Sequence, residues 1–491
     1  MPRLPSPLSA RLHWLLLGAV LGLALLLSAS RPLPTNDYAI YVAMGRQMLA
    51  QGELLARDPF TFTMGGEPFV HASWAWTLLC ALLHRSTGYQ GIRALTAGAI
   101  VLTLGGLYLT ARRAGAGPRG ASLAVLYSWL LALGNLGPRS QTAIYPLFVG
   151  LAFLLARPPH PAVGALAGLV LGWVWTQLHG SFPIPILYAG AIALGAALAA
   201  RRPGPAAPAG AVALGITLGT LLGPWGPAIW AYVWSNGVVP RERGILEWGT
   251  PSLASFVGLR LATVVALWGV LTVRRARPLT PAGWLLLLGF GGLALSATRI
   301  LAWFGLATAL TLALRLTPAE PAPAPPPLTP RVGRLLAILG LGWTALLAAG
   351  IPRQVTLAPD TPVALADALD REPVHGRVFA SMEAGGYLAW RFHHPSASQD
   401  EPLGRMDRPT FLDMRVWIFP DSVWQDFAAI ATARPGWQAR LDAWQVEHLL
   451  LHPQQVGADL LEAARASPGW ELVAEDGSGV LFRRVRTGEP G

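Results

Sequence analysis

Apolar residues fall into long uninterrupted runs over the first two thirds of the chain and into short ones after that. Stretches near 12–29, 91–111, 120–136, 141–156, 162–178, 182–200, 207–223, 256–273, 281–297, 299–315 and 333–350 approach the length needed to cross about 30 Å of hydrocarbon. The pattern predicts a polytopic α-helical membrane protein with about eleven transmembrane helices, some interrupted by Gly and Pro, and a tight turn over 297–300. The segment "TPAEPAPAPPPLTP" (317–330) reads as a polyproline-type linker, too poor in backbone donors to cross lipid. From Val355 the apolar runs shorten to four to six residues and charges return, which predicts a mixed α/β domain in water. Its expected elements are a helix in "PVALADALD", a strand in "GRVFAS", a glycine turn opening "GGYLAWRF" and a strand in "TFLDMRV". A helix in "DSVWQDFAAIATA", a strand in "VEHLLLH", a helix in "GADLLEAARA" and a hairpin of "WELVAED" and "GVLFRRV" follow.

The organisation expected is a transmembrane domain over 1–316 with a first outer loop at 31–90, then the linker 317–331. A last transmembrane helix (332–352) leads to an outer domain over 353–491. Residues 37–51 carry Tyr38, Tyr41, Val42, Met48 and Leu49 on one side, the pattern of a helix lying along a membrane surface.

Composition agrees with a membrane protein: of 491 residues 53% are hydrophobic and 13% charged. The net charge of +11 comes from arginine alone, since the chain has no lysine. With the N-terminus inside, alternate loops hold Arg112, Arg113 and Arg119; Arg157; Arg201 and Arg202; Arg274, Arg275 and Arg277; and Arg315, Arg331 and Arg334. Every inside loop is then basic, as short cytoplasmic loops are, and the charge is topological rather than a nucleic-acid footprint. The first span also reads as a cleavable signal, with Arg3 and Arg11 before a Leu-rich core and "LLSAS" after it. Both readings put residues 31–90 outside. Cys80 is the only cysteine, so no disulfide framework or thiol pair exists and packing is its expected role.

The expected outer face gathers the uncommon polar residues. Asp37, Arg46, Glu53, Asp58 and His71 lie in the first outer loop, and Arg139, Gln141, Gln177, His179, Glu242, Glu247, Trp248 and Arg299 lie near later outer helix ends. An ionisable group at membrane depth costs a few kcal/mol unless paired or hydrated, so convergence of this kind marks a site. Each residue also has a structural reading. Asp37 suits a helix N-cap, Arg139 and Arg299 suit snorkelling, Asp58 before Pro59 suits a turn, and Glu247-Trp248 suits an interface anchor.

The order Asp37-Tyr38, "GRQMLAQGELLARDPFTFT", "EPFVHASWAW", "RSQTAIYPLF", "WVWTQLHGSF", "ILEWGTPS" and "ATRILAWFGL", with "GGYLAW", "FLDMR" and "WELVAEDGSGVLFRR" in the tail, resembles bacterial multi-pass proteins related to the GT-C glycosyltransferases. The likeness covers nearly the whole chain and lies in the order of the segments. It implies transfer of a sugar from a polyprenyl-phosphate carrier to a glycan, lipid or protein acceptor outside the cytoplasmic membrane, with an acidic residue of the first outer loop at the reacting centre. Asp37 matches that position. A single inverting displacement needs one base, and Arg139 and Arg299 suit the departing phosphate because guanidinium forks two hydrogen bonds. Gln141 and His179 are then expected on sugar or phosphate oxygens, and Arg46, Asp58, His71, Glu247 and Trp248 around the substrate. The chain departs from the pattern in two places. Asn36 precedes Asp37 where a second acid is usual, and "HASW" (71–74) puts Ser73 in place of a glutamate, which leaves one fewer ligand for a divalent cation. No metal or cofactor is expected beyond the lipid-linked donor.

Two other functions fit the same composition. A transporter for a lipid-linked saccharide would place polar groups near the bilayer midplane rather than at one face, and a non-catalytic envelope-assembly protein would bind through its outer domain. In that domain Gly385-Gly386-Tyr387 and the pair Asp413 and Arg415 stand out as acceptor-binding candidates. Alternation along a strand would put Asp413 and Arg415 on one face, where a structural ion pair is the plainer account. Trp417, Trp424, Trp437 and Trp444 are candidates for stacking on sugars or for core packing.

Overall fold

The computed structural model describes residues 12–34, 36–273, 277–317, 354–398, 400–452 and 458–485. The linker and the last predicted transmembrane helix lie outside them. Among the described residues, helices occur at the other ten predicted apolar segments, and a one-turn 3-10 segment, Thr298–Ile300, forms the predicted tight turn. Six helices are long and apolar enough to cross a membrane: His13–Ser30, Tyr89–Arg113, Pro161–Leu178, Pro183–Ala200, Gly204–Leu222 and Phe256–Val273. Ser140–Leu155 and Pro281–Ser296 are apolar but shorter. The chain is a multi-pass membrane protein, and the count of about eleven spans is not confirmed.

Two compact units form. Of the described residues, the first holds those up to 31, from 93 to 233 and from 244 to 354; the second holds those from 32 to 92, from 234 to 243 and from 355 on. The first outer loop, grouped above with the transmembrane domain, therefore packs with the C-terminal α/β region.

Within the first unit, helix Leu301–Arg315 is buried on most of its surface and is joined to Pro118–Ala132 by hydrogen bonds. Tyr127 and Thr308 hydroxyls meet at 2.8 Å, and Ser128 donates to the Gly305 carbonyl at 3.0 Å. Hydroxyl bonds between helices hold apolar segments together where lipid offers no partner. Pro161–Leu178 and Ala207–Gly219 approach backbone to backbone: a Cβ on Gly172 would strike the Ile216 carbonyl, and one on Gly219 the Leu169 carbonyl. Small residues four apart allow such contact.

Within the second unit, β1 (Arg377–Ala380), β4 (Val446–Leu451), β5 (Trp470–Asp476) and β6 (Gly479–Arg484) form a sheet in the order β1-β4-β6-β5, and β2 (His393–His394) pairs separately with β3 (Arg405–Met406). The β1–β4 pair is parallel, with Phe379 opposite Leu449; β4–β6 and β5–β6 are antiparallel. Helices Val363–Arg371, Asp421–Ala431 and Ala458–Ala466 fall where predicted, and Trp437–Ala443 was not anticipated. Two expectations are corrected. "GGYLAWRF" is part of the helix Met382–Phe392, capped by Ser381, which accepts from Ala384 N at 3.1 Å. "TFLDMRV" forms no strand: only isolated bridges at Thr410 and a 3-10 turn over Val416–Ile418 occur there.

Helix Asn36–Gln51 exists as read, but not as a surface helix. Tyr38, Ala39, Ile40, Val42, Ala43, Met44, Gln47 and Met48 are all buried, because Trp74–Thr87 and Met382–Phe392 cover it. Gly45 permits the first of these contacts: a Cβ there would lie 2.5 Å from the Thr77 carbonyl oxygen. Ala389 joins Ile40, Met44 and Met48 in one core with Leu55, Phe60 and Phe69.

Candidate functional site

Four segments of the first unit bring polar side chains together. Arg139 stands in extended conformation just before helix Ser140–Leu155, and Gln141 lies in that helix's first turn. Glu247 lies in the 3-10 turn Leu246–Trp248, and Arg299 lies in Thr298–Ile300, which runs into helix Leu301–Arg315. His179 ends Pro161–Leu178. Thr298 ties two of the segments, its N–H donating to the Gly249 carbonyl at 3.1 Å and its hydroxyl to the Glu247 carbonyl at 2.9 Å.

The Glu247 carboxylate accepts from both arginines, one oxygen each. Arg139 Nη1 lies 2.6 Å from Oε2 and Arg299 Nη1 lies 3.4 Å from Oε1. Arg299 Nη2 donates to Gln141 Oε1 at 3.2 Å, and Gln141 Nε2 donates to the Tyr145 hydroxyl at 3.0 Å. The Arg299 guanidinium sits 4.4 Å above the Trp248 ring, a cation–π contact. Burial would raise the Glu247 carboxyl, but Arg299 and then Arg139 outweigh it and hold it below its ordinary value. His179 is pushed down to about 3 by burial and then by Arg299, against Glu247. It is therefore neutral near pH 7, and its Nδ1 accepts from Ser181 N at 2.9 Å, which leaves Nε2 to carry the proton.

Two guanidinium groups, one carboxylate and a neutral imidazole sum to one positive charge. Two helix N-termini, those of Ser140–Leu155 and Leu301–Arg315, add partial positive charge. The three charged side chains remain 30%, 35% and 17% exposed for Arg139, Glu247 and Arg299, so a solute reaches them. Beneath lies an aromatic floor: Trp303 meets Tyr145 at 5.0 Å, Phe148 at 5.5 Å and Trp175 at 6.0 Å between ring centroids. Such a floor lowers the local dielectric and strengthens the ionic contacts above it. Chemically, a net-positive cluster of this kind suits a dispersed anion. Among the described residues, no group of three or more His, Cys, Asp or Glu side chains is placed to hold a metal.

Apart from Gln177 of the first unit, which donates to the Trp173 carbonyl at 2.8 Å, the remaining candidates lie in the second unit. Asp58, Asp413 and Arg415 form a buried triad, 1%, 0% and 2% exposed. Arg415 Nη2 reaches Asp413 and Asp58 at 2.5 Å each, and its guanidinium faces the Phe60 and Phe69 rings at 5.2 and 5.0 Å. Asp58 also accepts from Phe60 N, Thr61 N and the Thr61 hydroxyl at 3.2, 3.1 and 2.5 Å, the turn expected of it. His71 is buried with Nε2 2.9 Å from the Thr77 hydroxyl. These four residues are internal, not surface contacts. Asp413 and Arg415 meet without a strand between them. Tyr387 is core, 5.5 Å from Trp390. Trp417 ends up partly buried in the 3-10 turn at 416–418, while Trp424, Trp437 and Trp444 pack against the domain's main apolar cluster.

Asp37 occupies the first turn of its helix and is partly exposed. Its neighbourhood includes an acid that the sequence did not suggest, Glu383, in the first turn of Met382–Phe392. Burial pushes the Glu383 carboxyl up, and the charges of Asp360 and Asp37 add to that. No local pattern could have found Glu383, since 346 positions separate it from Asp37.

No protein-family model and no curated protein matches the sequence. The fold, however, is similar to those of solved glycosyltransferases of the GT-C type. It matches the cryo-EM structure of the arabinofuranosyltransferase AftD from Mycobacteria with a TM-score of 0.53 at 17% identity, over 100% of this chain and 41% of that one. It matches the apo oligosaccharyltransferase of Archaeoglobus fulgidus with a TM-score of 0.51 at 12% identity, over 94% of this chain and 73% of that one. The likeness is one of fold, and the chain spans less than half the length of the mycobacterial protein.

Proposed function

We propose that the chain is a glycosyltransferase of the cytoplasmic membrane, N-terminus inside and α/β region outside, that moves a sugar from a polyprenyl-phosphate carrier to an outer acceptor. The observation that carries this reading is the net-positive Arg139–Glu247–Arg299 cluster at two helix N-termini, within a fold similar to those of GT-C glycosyltransferases. In the reaction the acceptor hydroxyl oxygen attacks the anomeric carbon while the bond from that carbon to the phosphate oxygen breaks, inverting the centre. The electron pair leaves on the lipid phosphate, and Asp37 takes the acceptor's proton.

Arg139 and Arg299 compensate the charge that develops on the departing phosphate, the kind of electrostatic stabilisation that dominates many enzymes. Glu247 holds both guanidinium groups in register. Gln141 and the neutral His179 supply hydrogen bonds that do not add charge. The sugar transferred is a pentose or a hexose.

The test uses the full chain in liposomes with radiolabelled polyprenyl-phosphate sugar and a membrane extract as acceptor source. Turnover that disappears in Asp37→Asn and falls in Arg299→Ala supports the reading. Label moved across the bilayer without turnover would make the chain a transporter. Retention of a cell-wall polymer with neither turnover nor movement would make it an assembly protein.

A further inference from the structure

The second unit contains a cavity of about 460 Å³ lined by Arg46, Leu49, Ala50, Ala81, His84, Arg85, Trp390 and Pro395. Its walls have two characters. Leu49, Ala50, Ala81 and Pro395 form an apolar side, whereas Arg46, Arg85 and His84 form a polar side. We propose that this cavity binds the phosphate headgroup of an anionic membrane lipid, with the guanidinium groups on the phosphate and the first part of the lipid's apolar portion against Leu49 and Ala81.

The charges call for such a ligand. Arg46 makes one hydrogen bond, Nη1 to the Trp390 carbonyl at 3.3 Å, and among the described residues neither Arg46 nor Arg85 has an ion-pair partner. Two cations lining one cavity repel each other unless an anion comes between them, and guanidinium suits phosphate because its donors fork onto two oxygens. His84 is fixed by its Nδ1 contact to the Tyr38 hydroxyl at 2.9 Å and by the rings of Tyr89 and Trp390 at 5.0 and 5.7 Å. Burial, and then Arg46, hold it below its ordinary value, so it is a neutral imidazole rather than a third cation.

The apolar side decides between a lipid phosphate and a free phosphate ion. Inorganic phosphate would leave Leu49 and Ala50 facing water. A lipid buries them, and the volume is that of a small-ligand site. Leu49 is 37% exposed. The proposal is independent of the transfer reaction, since Arg139, Glu247, Arg299 and Asp37 do not line the cavity.

The experiment is native mass spectrometry of the full chain released from phosphatidylcholine nanodiscs doped with phosphatidylglycerol. Wild type is expected to retain one phosphatidylglycerol in preference to phosphatidylcholine. Arg46→Gln with Arg85→Gln is expected to weaken retention at least tenfold, and Arg46→Lys with Arg85→Lys to keep most of it. Should the double glutamine variant not fold, Arg85→Gln alone, at an exposed position, is expected to weaken retention several-fold. Equal retention in wild type and either glutamine variant overturns the proposal. Displacement of the lipid by millimolar inorganic phosphate overturns it too, by assigning the cavity to the free ion.

Discussion

Arg139 and Glu247 stand 108 positions apart and meet at 2.6 Å. The same carboxylate holds Arg299, so one acid sets the spacing of two cations. Arg139 and Glu247 are about one-third exposed, and pairs in that setting contribute less than about 1 kcal/mol to stability. The cluster's effect on turnover should be far larger. Removing a preorganised donor from a developing oxyanion costs about a hundredfold or more in rate. Arg139→Ala is therefore expected to leave thermal unfolding nearly unchanged and to lower sugar transfer by about two orders of magnitude. A variant with a lowered melting temperature and unimpaired transfer would assign the cluster to structure alone.

The triad in the second unit is expected to behave in the opposite way. Arg415 pairs with two buried carboxylates, and the two acids hold its guanidinium well above its ordinary value despite burial. Arg415→Met strands both, and breaking a buried pair costs about 3–5 kcal/mol. Protease resistance and thermal unfolding of this variant should both collapse. Combining Arg415→Met with Asp58→Asn and Asp413→Asn should recover much of the loss, because the stranded charge is gone. No recovery in the triple variant would mean that hydrogen bonding, not charge, makes the triad indispensable.

The features legible in the sequence were those with a short period. Ten apolar runs became helices among the described residues, and the strand and helix patterns of the tail mostly fell where alternation and 3.6-residue spacing put them. Arg139, Gln141, His179, Glu247 and Arg299 were picked out as polar residues at helix ends of an apolar chain, and the first unit gathers them. Long-range burial was not legible. Residues 36–51 read as amphipathic against lipid, yet Ala389 and Trp390 from the far end of the chain cover them. "GGYLAWRF" reads as a turn because glycine pairs disfavour helix, but packing against Leu412 requires glycine there. Asp58 and His71 read as residues of an outer loop, and nothing local shows that Arg415 and Thr77 enclose them.

Protonation of His71 gives a pH-dependent prediction. Burial, and then Arg415, push its imidazole from an ordinary 6.5 down to about 3. As pH falls below 6.5 the unfolded chain takes up a proton that the folded chain refuses, so stability is lost progressively between about 6.5 and 3. Above 6.5 both states are neutral there and no loss occurs. Melting temperatures from pH 7 to pH 4 should decline more steeply in wild type than in His71→Gln. Parallel curves would show that His71 does not contribute to acid sensitivity.

Gly385 links the helix Met382–Phe392 to the segment that carries the triad. A Cβ on Gly385 would run into the Leu412 carbonyl oxygen and approach Asp413 Cα to 3.4 Å. Both obstacles are backbone, so no rotamer change relieves the clash; either the helix or residues 412–413 must move. Overpacking of this kind costs about 1–3 kcal/mol. Because Asp413 holds Arg415, a shift of its backbone also loosens the triad. Gly385→Ala should thus destabilise on its own, and its effect should not add to that of Asp413→Asn, since contacting positions couple. The double-mutant cycle followed by thermal unfolding measures this directly: a combined loss smaller than the sum places both substitutions on one mechanical path, and strict additivity would separate the helix from the triad.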